Sequence, residues 1–311
     1  MLHPALSQLE QGFAASPLQK IEDTLLQQAG VELWLKRDDL IHPIISGNKW
    51  RKLKYILNHA LHCQMHTIIS MGGPWSNHLH ALAYAGKQLG LTTKAFVRGE
   101  KPVVLSPTLR DILAWGMEIQ FVSRNHYRDL RQYRKFDSLP GLKTGEYWLP
   151  EGGASALALQ GIHEIVTEIP VQYDSLAVAV GTGTTLAGLI AASEQGKQIV
   201  GIAALKGAAF LYDDVKRLIF PQEKSNWRIL LDYHAGGFAR TTPELLVFMQ
   251  QFEVRQQIRL DKVYNAKMLY AIYDQIRQGA FQRGDRIVAI HTGGLQGMRT
   301  MNMARLGGCR V

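Results

Sequence analysis

The segment Gly181-Thr182-Gly183-Thr184-Thr185-Leu186 follows an apolar run at 176–180 and leads into a helical pattern. Glycine lets a backbone approach an anion closely. A helix N-terminus adds unpaired N–H groups and a favourable dipole, and threonine hydroxyls add donors. By these criteria the segment is a phosphate cradle. It lacks the lysine of a Walker loop, and Leu186 stands where a dinucleotide fingerprint has its last glycine. The phosphate of a smaller cofactor is the reading that is left. A second segment, Ser46-Gly47-Asn48-Lys49-Trp50-Arg51-Lys52, places a lysine at a loop-to-helix junction among other cations. Neighbouring cations and desolvation lower an amine's pKa and prepare it for Schiff-base chemistry with carbonyls. On position alone, a surface lysine among Arg51, Lys52 and Lys54 is the plainer reading. A third, Met71-Gly72-Gly73-Pro74-Trp75-Ser76-Asn77-His78, ends a strand-like run and opens a helix. There Asn77 is a candidate cap or first-turn donor, with Ser76 at the mouth.

Other clusters point nowhere so definite. His59, His62, Cys63 and His66 share helical spacing, but no ligand from a second element is evident, and histidines near a helix C-terminus complement its dipole. No metal is expected. His78 and His80, two apart, face different sides of a helix. The two cysteines, Cys63 and Cys309, are too few for a disulfide framework, so a reduced, cytoplasmic setting is expected. The N-terminus lacks a basic region followed by an apolar run, and no apolar stretch reaches the roughly 18 residues of a membrane span. The net charge of +9 comes from 35 basic and 26 acidic residues, spread along the chain with local runs only at 49–54 and 128–135. Without zinc-finger spacing or an RNA-binding aromatic signature, this balance argues against nucleic acid and suits an enzyme that holds small anions.

The elements that must position these residues alternate. Short runs rich in Val, Ile and aromatics at 32–36, 67–71, 94–97, 118–122, 176–180, 199–203 and 286–290 read as buried parallel strands. Apolar residues spaced three and four apart at 49–62, 77–89, 184–193 and 242–252 read as helices, the last capped by Thr241 or Thr242 with Pro243 in its first turn. Alternation of this kind predicts an α/β fold with mostly parallel sheets. Glycines sit at the ends of strand-like runs, at Gly72-Gly73, Gly152-Gly153, Gly181 with Gly183, and Gly293-Gly294. Ligands of open α/β sheets bind outside the carboxyl ends of the strands. The set therefore predicts a ligand gripped largely by backbone.

Taken together, these motifs resemble the pyridoxal-5′-phosphate (PLP) dependent family of 1-aminocyclopropane-1-carboxylate deaminase and D-cysteine desulfhydrase, within the tryptophan-synthase β-like group. The likeness runs from Leu33-Trp34-Leu35-Lys36-Arg37-Asp38-Asp39 to His291-Thr292-Gly293-Gly294. It implies PLP fold type II: two open, twisted, mostly parallel sheets flanked by helices. A small domain at 48–153 would be inserted into a large one formed by 1–47 and 154–311. The resemblance also makes Lys49 the lysine that holds PLP, Asn77 the partner of its 3-hydroxyl, and Gly181, Thr182, Gly183, Thr184 and Thr185 its phosphate loop. Ser76 would lie near the substrate carboxylate, and Tyr264 would be an active-site tyrosine. Asn265 and Thr292 would flank the cofactor ring. A small amino-acid substrate and a homodimer are implied as well.

Three positions depart from the deaminase pattern. Asn265 stands where deaminases carry a glutamate facing the pyridine nitrogen, Thr292 where they carry a leucine, and Phe238 where they carry a second tyrosine. A carboxylate beside that nitrogen keeps it protonated and the ring a strong electron sink; neutral side chains stabilise the charged ring less. Elimination of a good leaving group tolerates a weaker sink, whereas opening a cyclopropane with no α-hydrogen needs an added nucleophile or acid. The sequence therefore favours β-elimination from D-cysteine or an analogue over 1-aminocyclopropane-1-carboxylate deamination. A PLP-fold binding or regulatory protein without activity is the reading of another class, and the presence of Lys49 speaks for an enzyme.

Overall fold

The structure, a computed structural model, describes residues 1–299; Cys309 lies outside the described residues. The strands are β1 (Leu18–Ile21), β2 (Glu32–Lys36), β3 (Thr67–Gly72), β4 (Thr92–Arg98), β5 (Glu118–Val122), β6 (Glu146–Leu149), β7 (Ser175–Val180), β8 (Gln198–Ala203), β9 (Trp227–Leu230) and β10 (Arg286–Ile290). They form two open sheets, ordered β1-β2-β10-β7-β8-β9 and β5-β4-β3-β6. Every pairing is parallel except that of β1 with β2. Helices separate most of the strands, so the expected α/β architecture with mostly parallel sheets is the one observed. Among the described residues no helix is long and apolar enough to cross a membrane.

The chain divides into two compact units. One comprises Met1–Ala14 and His42–Gly161, with 296–299 of the described C-terminal residues, and holds the four-stranded sheet; the other comprises Ala15–Ile41 and Ile162–Leu295 and holds the six-stranded sheet. The sequence-based division fell at 47/48 and 153/154 and put the first residues with the larger sheet. The structure groups residues 1–14 with the smaller one for a specific reason. Glu10 accepts the Trp50 indole N–H at 3.1 Å and pairs with the Lys54 ammonium at 2.8 Å. The backbone N–H of His3 donates to Asn58 Oδ1 at 2.7 Å.

Central strands of parallel sheets are covered on both faces, which is why they read as unbroken apolar runs. Both β3 and β7 are buried at every position, and each large aliphatic side chain so placed contributes about 1.5–3 kcal/mol. The edge strand β5 alternates in exposure instead. Helices also approach each other closely through glycine. An ideal Cβ on Gly188 would lie 2.5 Å from Ile162, and one on Gly161 only 1.7 Å from the Arg51 carbonyl oxygen.

Candidate active site

In the smaller-sheet unit, Gly47 takes φ +69° and turns the chain into the helix Asn48–His62. Lys49 is half-buried on its first turn, with its ammonium bonded to the Asn48 side-chain carbonyl. The neighbouring cations are not a solvated face as expected: Arg51, Lys52 and Lys54 are all buried. Lys52, three residues past Lys49 and so on nearly the same helix face, donates to the Gly152 carbonyl at 3.3 Å. Burial, and then the charge of Lys49, hold its amine well below the usual lysine range. Among the described residues no carboxylate pairs with Lys52.

The helix Asn77–Leu89 begins directly after the loop that follows β3. Its cap is Ser76 rather than Asn77: the Ser76 hydroxyl accepts from the Leu79 N–H at 3.2 Å. Gly72 is obligatory beneath it, because a Cβ there would sit 2.6 Å from Ser76 Oγ. Asn77 occupies the first helical position, where its side-chain carbonyl accepts from the Gln296 amide. His78 is buried between these residues and β3. Ser70 Oγ donates to the Leu149 carbonyl at 2.8 Å, so the 2.8 Å contact between Ser70 and His78 Nε2 requires the imidazole to donate. That assigns the Nε2–H tautomer and leaves Nδ1 as a buried acceptor with no partner. Burial, with Lys49 and Lys52 nearby, pushes the His78 pKa down to about 3.

In the larger-sheet unit, β7 runs into the loop at Gly181, and Gly183 takes φ +76° as it opens the helix Thr184–Ala192. Thr184 and Thr185 are buried, and the hydroxyls of Thr182 and Thr184 lie 3.2 Å apart. The Tyr264 ring lies over the start of this loop, since a Cβ on Gly181 would come 3.1 Å from its Cε1. Phe238 packs edge-on against Tyr264 at 6.2 Å and is 49% exposed. The unit thus brings Gly181, Tyr264 and Phe238 together as neighbours.

Behind Tyr264 lies a network organised by Asp261. Its carboxylate accepts from the backbone N–H groups of Val263, Tyr264 and Asn265 and from the Asn265 amide, at 2.6–2.9 Å. The Asn265 amide also donates to the Gly293 carbonyl at 2.8 Å, and its oxygen accepts from the Thr292 N–H at 2.9 Å and the Thr292 hydroxyl at 3.3 Å. Asn265 is therefore saturated on both sides. It laces the turn after β10 to the start of the helix Asn265–Arg277. Asp261, Lys52 and His78 escaped the sequence reading. The signal was faint: Lys52 stands one helical turn beyond Lys49, and Asp261 stands four residues before Asn265.

The pattern that describes the family "pyridoxal-phosphate dependent enzyme" matches residues 9–293. The chain belongs to that family. A relative from Pyrococcus horikoshii, provisionally named a 1-aminocyclopropane-1-carboxylate deaminase, is 31% identical over 91% of this chain and 90% of its own. The Arabidopsis thaliana protein named bifunctional D-cysteine desulfhydrase/1-aminocyclopropane-1-carboxylate deaminase is 30% identical over 86% of this chain and 74% of its own. The crystal structure of a homologue of 1-aminocyclopropane-1-carboxylate deaminase superposes with a TM-score of 0.76 at 29% identity, covering 98% of this chain and 99% of that one.

The residues of this pyridoxal-phosphate dependent enzyme suit a phosphate-bearing group. The buried Lys52, which has the Gly152 carbonyl but no carboxylate as partner, and the orphaned Nδ1 of His78 are incompletely satisfied polar groups in one unit. In the other, two glycines and three threonines at a helix start form a backbone cradle. Among the described residues no set of three or more His, Cys, Asp or Glu could hold a metal ion.

Proposed function

We propose that this enzyme is a lyase of small amino acids that removes a β-substituent, with D-cysteine or a close β-substituted analogue as substrate. The overall change converts D-cysteine and water into pyruvate, ammonia and hydrogen sulfide. In this reading Lys49 carries the cofactor, Asn77 meets its 3-hydroxyl, and Gly181, Thr182, Gly183, Thr184 and Thr185 hold its phosphate. When bound, pyridoxal phosphate supplies a sink for the electrons released at the substrate α-carbon. The Lys49 amine, freed when the substrate amine takes its place on the cofactor, would take the α-proton. Its half-buried position on the first turn of the helix, on nearly the same face as the buried Lys52, supports that role. Ser76, at a helix start, has N–H groups beside it suited to a carboxylate. Tyr264, over the phosphate loop, orients the substrate or assists proton transfer.

The observation that carries the choice of reaction is the saturated Asn265. All four of its hydrogen-bonding positions are engaged by protein, and its side chain is neutral. Neither Asn265 nor Thr292 offers the ring nitrogen a carboxylate, and the Asp261 carboxylate is already taken up by four protein donors. That supports loss of a good leaving group over ring opening. Phe238 supports the same choice, since it cannot supply an acid or a nucleophile. Deamination of 1-aminocyclopropane-1-carboxylate is the second reading, favoured by the names of the Pyrococcus and Arabidopsis relatives. A side-by-side assay of 2-oxo acid release from D-cysteine, L-cysteine, β-chloro-D-alanine and 1-aminocyclopropane-1-carboxylate separates them. The expected result is sulfide and pyruvate from D-cysteine, well above 2-oxobutanoate from the cyclopropane. Efficient ring opening would show that a carboxylate at position 265 is not needed.

A further inference from the structure

A second concentration of positive charge lies in the smaller-sheet unit, on residues for which the lyase reaction has no use. Arg98 ends β4, and Arg124, Arg128 and Arg131 follow β5 on and just beyond the helix Arg124–Leu130. With Tyr127 these four exposed arginines line an open depression of about 400 Å³. Arg98 and Val122 are register partners at the carboxyl ends of β4 and β5, the edge of a parallel sheet at which ligands bind.

The charges in this depression are poorly compensated. Among the described residues, the carboxylate that bonds to its lining is Glu151, which takes Arg131 at 2.6 Å and the Tyr127 hydroxyl at 2.6 Å. Arg98 lies over the Tyr127 ring, 5.5 Å from its centroid. Arg128 has only a 3.4 Å contact with Asn125. Among the described residues Arg98, Arg124 and Arg128 have no carboxylate partner. Four guanidinium groups against one carboxylate leave three positive charges around a concave surface. Each guanidinium presents a planar fork that matches pairs of phosphate oxygens. Arg98 occupies one face of the Tyr127 ring. The depression falls in the size range of small-ligand sites.

We propose that Arg98, Arg124, Arg128 and Arg131 form a binding site for a compact polyanion bearing two or more phosphoryl groups, built from residues other than those of the loop at 181–185. A single phosphate would leave most of the charge unmatched, and a long polymer would not need a depression. The basic run at 128–135, which the sequence left without a purpose, supplies two of its four arginines.

The test is calorimetric titration of the PLP-loaded, full-length protein with inorganic pyrophosphate at physiological ionic strength. The visible spectrum is recorded throughout to show that PLP is not displaced. The expected result is one pyrophosphate per chain, bound at least ten-fold more tightly than orthophosphate. Arg98→Gln and Arg128→Gln should each weaken binding about ten-fold, with the visible spectrum unchanged. Glu151→Gln removes the competing carboxylate and should tighten it, which provides a gain-of-affinity readout should an arginine variant fail to fold. Absence of pyrophosphate binding overturns the proposal, as does binding unaffected by all three substitutions or binding that bleaches the PLP band. Tighter binding of a single-stranded oligonucleotide, lost in the same arginine variants, would overturn it in favour of a nucleic-acid surface.

Discussion

Position 265 shows how far a residue's identity can mislead without its partners. Read as a letter in a motif, asparagine is a glutamate that has lost its charge. In the structure its amide is the knot that ties Asp261 to Thr292 and Gly293. Restoring the acid is therefore not a simple graft. Asn265→Glu would bury a second carboxylate against Asp261, which now accepts the Asn265 amide at 2.6 Å. The like charges and the lost donor should cost about 3 kcal/mol or more. A clear drop in the urea unfolding midpoint is expected, with no gain in ring opening. An unchanged midpoint would mean that Asp261 is not the acceptor. Lys49 invites the converse test. If it carries the cofactor, Lys49→Ala should lose the visible absorption of the lysine-linked form, though the loop at 181–185 still retains some free PLP. A retained band would place the linkage on another lysine. Lys49 was singled out only by the family resemblance, whereas Ser76, Asn77 and the glycine-threonine loop could be picked out from local spacing as candidates. Lys52, His78 and Asp261 could not, because what marks them is burial and partners brought in by the fold.

Among the elements, several with a strong local period were legible, but amphipathic helices such as Leu211–Ile219 and Asn265–Arg277 were not. The helix Asn77–Leu89 has the expected bounds, and Thr242 caps the helix Pro243–Gln256 through the Leu245 N–H at 3.3 Å. The seven expected strands are all present, within a few residues. β1, β6 and β9 went unseen because they are four residues long and lie at sheet edges, too short for a period to emerge. The helix Asn48–His62 was placed correctly but its surroundings were misjudged. Its run of cations reads as a solvated face, yet Glu10, distant in sequence, covers Lys54, and the helix Ala156–Thr167 presses its backbone against Arg51. That last contact yields a sharp expectation. Gly161→Ala puts a Cβ into the Arg51 carbonyl, a backbone atom that cannot rotate away. Overpacking typically costs about 1–3 kcal/mol, and this clash belongs at the upper end or beyond. The melting temperature should fall by several degrees, whereas Gly279→Ala, with open space around it but φ +70°, should show only the smaller cost of backbone strain.

At the scale of the whole molecule, the basic excess of the composition resolves into distinct local arrangements: buried cations around Lys49 and an arginine-lined depression after β5. The first of these makes stability depend on pH through His78. Its pKa is pushed from the ordinary histidine value down to about 3 by burial and by Lys49 and Lys52. The folded chain keeps this imidazole neutral over a range in which the unfolded chain protonates it. The unfolded state thus binds more protons between about pH 6.5 and pH 3, and stability falls as the pH is lowered through that window. The limiting slope is about 1.4 kcal/mol per pH unit. Glu32 adds a second loss further down. Hydrogen bonds from Arg286, Lys20 and Trp34 hold its pKa near 2, so its contribution is present above the ordinary glutamate value and disappears as the pH falls toward 2. Urea midpoints compared between pH 7 and pH 5 lie above the Glu32 window and sample that of His78. His78→Gln keeps a donor for Ser70 Oγ and removes the titration. The wild type should lose stability steeply between these two pH values, and the variant should lose clearly less, with the remainder left to His42 and His80, whose pKa values are also lowered by burial. Parallel slopes in the two proteins would show that His78 is hydrated or paired in the folded chain, and would remove the electrostatic link between it and Lys49.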